Sequence, residues 1–156
     1  MSSFFLSLLI VSNSYAKDFD GRFAIGLDHI LGDQPALSAR YALPMPNDVM
    51  EGQIDGIFGF STHPSEPTQL VMGSRFLYGV IIEDNMNVMA TGGFAFLLLD
   101  GSPAARFQPG VELQFSLMGL DNLTFGSAAV VNFDLGSGNT KLGVTGNLLG
   151  SVHYWF

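Results

Sequence analysis

Four arginines, Arg22, Arg40, Arg75 and Arg106, and four carboxylates, Asp20, Asp28, Asp55 and Glu112, sit within otherwise apolar stretches of this 156-residue chain. Charges in such surroundings persist only when they are paired and hydrogen-bonded, because an isolated buried ion is costly. Ion pairing is therefore the first chemistry to expect. Nucleophilic chemistry is offered by Ser151-Val152-His153, which puts a hydroxyl and an imidazole two residues apart. No carboxylate accompanies that pair in sequence, and a hydrogen-bonded end residue accounts for His153 equally well. His29 and His63 stand too far from other ligand types to suggest a metal site. Gly136-Ser137-Gly138-Asn139-Thr140-Lys141 has a phosphate-loop flavour but lacks the Gly-Lys-Ser/Thr order and a following helix, so it reads as a hairpin turn. The acidic turns at Asp84 and Asp100 do not reproduce calcium-loop spacing. With no cysteine, disulfides and thiolate metal sites are excluded. No cofactor or metal is implied.

The elements that hold these residues are strands. Hydrophobic residues make up 47% of the chain, yet outside the N-terminus the longest unbroken apolar run is Phe94 to Leu99. A spanning helix needs about 20 such residues. Turn-forming clusters divide the chain into eight segments, near 18–30, 36–43, 51–62, 69–82, 85–99, 105–118, 122–135 and 141–156. Within them apolar and polar residues alternate. Phe107, Val111, Leu113, Phe115 and Leu117 oppose Arg106, Gln108, Glu112, Gln114 and Ser116. Leu142, Val144, Leu148, Val152, Tyr154 and Phe156 oppose Lys141, Thr145, Asn147, Ser151 and His153. Successive strand side chains point to opposite faces, so each segment has one oily and one polar surface.

A soluble sandwich alternates too. Two features distinguish this chain: the oily face is rich in Phe and Leu, and Asp55, Arg75 and Glu112 lie near strand centres on the other face. That is the pattern of an inverted barrel, apolar outside and polar within. The net charge of −8 argues against nucleic acid as a partner.

The N-terminus reads as a signal peptide over residues 1–16. A short apolar core from Phe4 to Val11 precedes Ser14-Tyr15-Ala16, a small-x-small cleavage pattern. The mature barrel domain is then 17–156. At the other end, Val152, Tyr154 and Phe156 place apolar and aromatic residues at alternate positions up to the last residue. With the eight segments, these features resemble the small outer-membrane β-barrels of the OmpA transmembrane-domain and OmpX type.

The resemblance implies an eight-stranded antiparallel up-and-down barrel in the bacterial outer membrane, exported through the Sec route. Its partners would be outer-membrane lipid, including lipopolysaccharide, and the barrel assembly machinery, which in that family reads the last strand. Oligomeric state is not specified by any pattern here. With both chain ends in the periplasm, Tyr41, Tyr78 and Tyr154 fall at the lower strand ends and Phe60, Phe96, Phe107 and Phe133 toward the upper ends, giving two aromatic girdles. Lipid A deacylases share the architecture, but they carry His-x-Ser where this chain has Ser-x-His. The expected activity is non-enzymatic, with an envelope-integrity role. A lipid-modifying enzyme, a narrow ion or proton path and a secreted periplasmic β-barrel binder are the alternatives. Arg22, Arg40, Arg75 and Arg106 are expected to meet Asp20, Asp28, Asp55 and Glu112 inside a filled, ion-paired core.

Overall fold

A computed structural model describes residues 19–32, 34–45, 51–63, 66–99, 102–136 and 140–156; the expected signal peptide lies outside them. The eight strands are β1 (Phe23–Asp28), β2 (Ala36–Leu43), β3 (Gly52–His63), β4 (Glu66–Ile82), β5 (Met86–Leu99), β6 (Ser102–Ser116), β7 (Leu123–Gly136) and β8 (Thr140–Trp155). Each pairs antiparallel with its neighbours in sequence, and β1 pairs with β8 to close the barrel.

Three departures from the sequence expectation have local causes. β1 is shorter than 18–30 at both ends. Before it, Gly21 adopts a positive φ of 72° in a turn that bonds Arg22 N–H to Phe19 O. After it, the Asp28 carboxylate accepts the N–H groups of Ile30 and Leu31, an aspartate turn that outcompetes the ladder. β4 and β6 extend back through Pro67 and Pro103, which read as turn residues. Pro103 lies where β6 has outrun β7, whose first partner on β6 is Ala104, so its missing N–H costs no ladder bond. Pro109 falls where the β6–β7 ladder lapses between Phe107 and Gly110.

The register sets the shape. From Ile25 the ladder passes through Ala39, Gly56, Ser74, Phe94, Phe107 and Phe133 to Leu142. Yet β1 pairs Ile25 with Tyr154. Two residues of that stagger are absorbed opposite Gly126–Ala128, where the register shifts. A shear of about ten remains, and for eight strands this tilts them roughly 40° from the axis. Each residue then advances about 2.5 Å along the axis, and each step to the next strand about 3 Å.

Parity partitions the side chains as the alternation requires. Phe23, Ile25, Leu37, Ile54, Phe58, Met72, Phe76, Phe94, Val111 and Val144 all point outward and are exposed. The tyrosines Tyr41, Tyr78 and Tyr154 lie outside near the end carrying Phe19 and Phe156. Phe60, Phe96, Phe107 and Phe133 lie outside nearer the other end. The two rows are about 20 Å apart on the estimated rise. Among the described residues, every Asp, Glu, Lys or Arg on a strand between these rows is buried in the interior: Asp28, Arg40, Asp55, Arg75, Arg106 and Glu112.

The wall is uneven in height. β3 and β8 run on to His63 and Thr140, whereas β1 stops at Asp28 and β2 begins at Ala36. The β2–β3 ladder ends at the Leu37–Phe58 pair and the β1–β8 ladder at Asp28–Ser151. A notch two strands wide thus opens between upper β3 and upper β8. Its floor is roughly 6–10 Å below the phenylalanine row.

Candidate functional site

The barrel interior has three levels. At the end carrying Phe156, Phe19 stacks on Trp155 with ring centroids 4.4 Å apart, and Ala24 and Ala42 pack with them. Trp155 Nε1 donates to Thr124 Oγ1 at 3.1 Å. Arg22 lies here and not in the central charge cluster. It precedes β1, outside the strand that would carry it inward. Its guanidinium bonds Asn122 Oδ1 at 2.8 Å and the carbonyls of Phe156 and Trp155, above the Phe19 ring. Asp20 is exposed and accepts Met45 N–H.

The middle level is the ion-pair cluster. Arg40 Nη2 meets Asp55 Oδ2 at 3.0 Å and its Nη1 meets Glu112 Oε1 at 3.2 Å. Arg75 meets the same Asp55 oxygen at 2.9 Å, Glu112 Oε2 at 3.0 Å, and Asp28 through a short contact. Two guanidiniums and three carboxylates form one closed network in which Asp55 and Glu112 each bridge both arginines. Register brings them together: Arg40, Asp55 and Arg75 lie directly across adjacent ladders. Gly126 makes room for Glu112, since a Cβ there would stand 2.8 Å from Glu112 Oε1. Below the cluster, Gln53 and Gln114 exchange amide hydrogen bonds of 3.2 and 3.1 Å, and Gln53 and Asn87 both donate to Glu51.

Ser38 joins the cluster from β2. Its hydroxyl donates to Asp55 and lies 2.6 Å from His153 Nε2. Because the hydroxyl proton is committed to Asp55, the imidazole is the donor in the second bond. The hydroxyl thus separates carboxylate from imidazole, where a nucleophilic triad needs the imidazole in the middle. Ser151 is buried near the same wall, and its Oγ has no hydrogen-bond partner, so Ser151 and His153 do not form the nucleophile–base pair considered from the sequence.

The upper level holds Arg106, which is also outside the central network. Six residues along β6 separate it from Glu112, about 15 Å of axial rise. Its partner is Asp134, directly across the β6–β7 ladder, held through two bonds of 2.6 and 2.9 Å. Here the β1–β2 connection folds inward. Ile30 and Leu31 are fully buried, and Gln108 Nε2 and Arg106 Nη1 donate to their carbonyls at 2.9 and 3.1 Å. Leu31 packs with Ala36, Ile57, Val71, Ala95 and Leu97, and Ile30 with Ala128 and Val130.

Of the residues singled out from sequence, Arg40, Arg75, Asp28, Asp55 and Glu112 come together. Arg22, Arg106 and Asp20 do not join them. Val152 and Tyr154 lie on the outer face of β8 and Phe156 just beyond its end, with Tyr154 and Phe156 in edge-to-face contact. Sequence reasoning missed Ser38, Asp134 and the infolded Ile30–Leu31. The last had a signal: an aspartate followed two residues later by an apolar pair, in an otherwise turn-like stretch.

No family model matches the chain, and no curated protein or solved structure matches it.

Proposed function

We propose that this closed eight-stranded barrel is an integral outer-membrane protein with both termini on the periplasmic side and a non-enzymatic role in envelope integrity. One observation carries the reading. Among the described residues the strands present a predominantly apolar surface outward between two aromatic rows, broken by the small hydroxyls of Ser74 and Ser127, while every described strand charge between those rows is buried within. In water such a surface is an association hazard. In a bilayer it is what a spanning strand needs, and barrel closure satisfies the backbone. The apolar band extends a little beyond the two rows, matching the roughly 25 Å expected of such barrels. On this reading residues 1–16 are removed on export. The last strand, with Val152, Tyr154 and Phe156 outward, is what the assembly machinery engages, and lipid including lipopolysaccharide surrounds the wall.

Heat modifiability tests it. Outer-membrane fractions of expressing cells are run on gels with and without boiling. The expected result is a boiling-dependent mobility shift of protein confined to that fraction. Soluble periplasmic protein with no shift would overturn the reading in favour of a secreted binder.

A further inference from the structure

The upper interior is unlike the rest of the lumen. Its β3–β5 side is apolar, from Ile57, Val71, Ala95 and Leu97, whereas its β6–β7 side sets Arg106, Gln108 and Asn132 among Ala104, Ala128 and Val130. An interior of this amphipathic kind is not required for ion-paired filling, which is complete one level below. What occupies it is the chain's own tip: two apolar side chains, Ile30 and Leu31, with two carbonyl oxygens held by Gln108 and Arg106. Chemically the tip imitates an acyl chain with an oxygen-bearing head. The polar wall is also incompletely used. Gln108 Oε1 on that wall is buried without a hydrogen-bond partner, as are both amide atoms of Gln34 in the β1–β2 connection. Buried polar groups left so are rare and call for an explanation.

The wall notch lies at the same level. Between the end of β1 and β8 is a cleft of about 130 Å³, lined by Leu27, Pro35, Val152, Asp28, His29 and Ser151. It sits at the floor of the notch, beside Asp28 and Ser151, and the notch above it opens, on the membrane reading proposed above, toward the outer leaflet.

We infer that the upper interior is a binding site for one long acyl chain with an anionic or ester head, reached sideways through the notch, with Ile30 and Leu31 holding its place in the unliganded state. The acyl chain lies against Val71, Ala95 and Leu97, and its head oxygens take the bonds that Arg106 and Gln108 now give to the tip. Lipid-facing backbone at the notch is tolerated because it lines a cavity.

The test locks the tip. A Cβ at position 32 would stand 3.0 Å from the Val71 Cβ, near the about 3.5–4.5 Å separation of a disulfide. The chain has no cysteine of its own, so Gly32→Cys with Val71→Cys gives one unambiguous crosslink. The variant is inserted into phosphatidylcholine nanodiscs, insertion being checked by heat modifiability. Cis-parinaric acid is then titrated, with energy transfer from Trp155, the one tryptophan, as readout. Saturable 1:1 binding is expected in the reduced protein, weakened at least tenfold on oxidation and restored by reductant. In a second variant, Leu31→Ala, binding tightens several-fold, which serves if the cysteine pair does not fold. Competition with palmitate or with lysophosphatidylcholine identifies whether a free fatty acid or a lipid supplies the chain. Inserted protein that shows only the unsaturable partition of empty nanodiscs in the reduced pair and in Leu31→Ala overturns the inference alone. Failure of the unaltered protein to insert overturns the membrane reading and the inference with it.

Discussion

Replacing Arg75 by methionine should unfold this barrel far more readily than its single-residue scale suggests. Arg75 contacts three carboxylates, Asp28, Asp55 and Glu112, and both Asp55 and Arg75 are almost fully excluded from solvent. Methionine fills much of the same volume but leaves three acids facing Arg40 alone. Breaking a buried pair from one side costs about 3–5 kcal/mol, because the surviving charge stays desolvated. At 1.4 kcal/mol per tenfold, the folded-to-unfolded ratio falls by roughly two to three and a half orders of magnitude. The assay is urea titration of protein folded into phosphatidylcholine vesicles, followed by Trp155 emission and by gel mobility without boiling. Adding Asp28→Leu to Arg75→Met should return part of the loss, a coupling of about 0.5–3 kcal/mol for residues in direct contact. A single-variant change below about 0.5 kcal/mol, the range of ordinary surface substitutions, would refute the reasoning. It would mean that water fills the lumen around the arginines and screens them.

The remaining expectations concern the wall and its packing. Gly93→Val should destabilise by about 1–3 kcal/mol through overpacking, since a Cβ there would come within 2.9 Å of both Arg75 and Leu31; the same urea titration measures it. Phe58→Arg, on the outer face between the aromatic rows, should cost about 2–4 kcal/mol, against about 0–1 for Tyr154→Arg at the interface; equal costs at the two depths would contradict membrane immersion. Planar-bilayer recordings should show no steady single-channel current for the unaltered protein, whose middle level is closed by paired charges. Arg40→Ala with Arg75→Ala, if folded, should admit one.

Strand parity was readable from the sequence because its signal is local: a residue and its neighbour two positions on share a face whatever the rest of the chain does. That was enough to assign Asp55, Arg75 and Glu112 to the interior. Partnership was not readable, because it depends on register. Whether Arg106 meets Glu112 or Asp134 turns on which residue lies across the ladder, and that is set by hairpin lengths and by the irregularity opposite Gly126–Ala128. Arg22 was misplaced for a different reason. Its parity matches Ala24, but the chain is still in the Gly21 turn when it passes position 22, and parity has no meaning before the strand begins. The inward tip escaped notice because the strand was expected to run on to Ile30, whereas one oxygen of the Asp28 carboxylate ends it by accepting the N–H groups of Ile30 and Leu31 while the other meets Arg75.

The joint between first and last strands is short. β1 and β8 share five residue pairs, from Ala24–Trp155 to Asp28–Ser151, against fourteen between β5 and β6. Its two sides are separated by most of the chain length, so it also carries the largest loop-closure entropy of any ladder in the molecule. The cylinder is therefore a long, well-bonded sheet held shut by a brief clasp. Under mechanical or thermal load it should unzip along that line first, and during assembly it should latch there last, after the other seven ladders have formed. The carbonyl of Phe156 held by Arg22, and its N–H bonded to Phe23 O, are the final stitches of that closure.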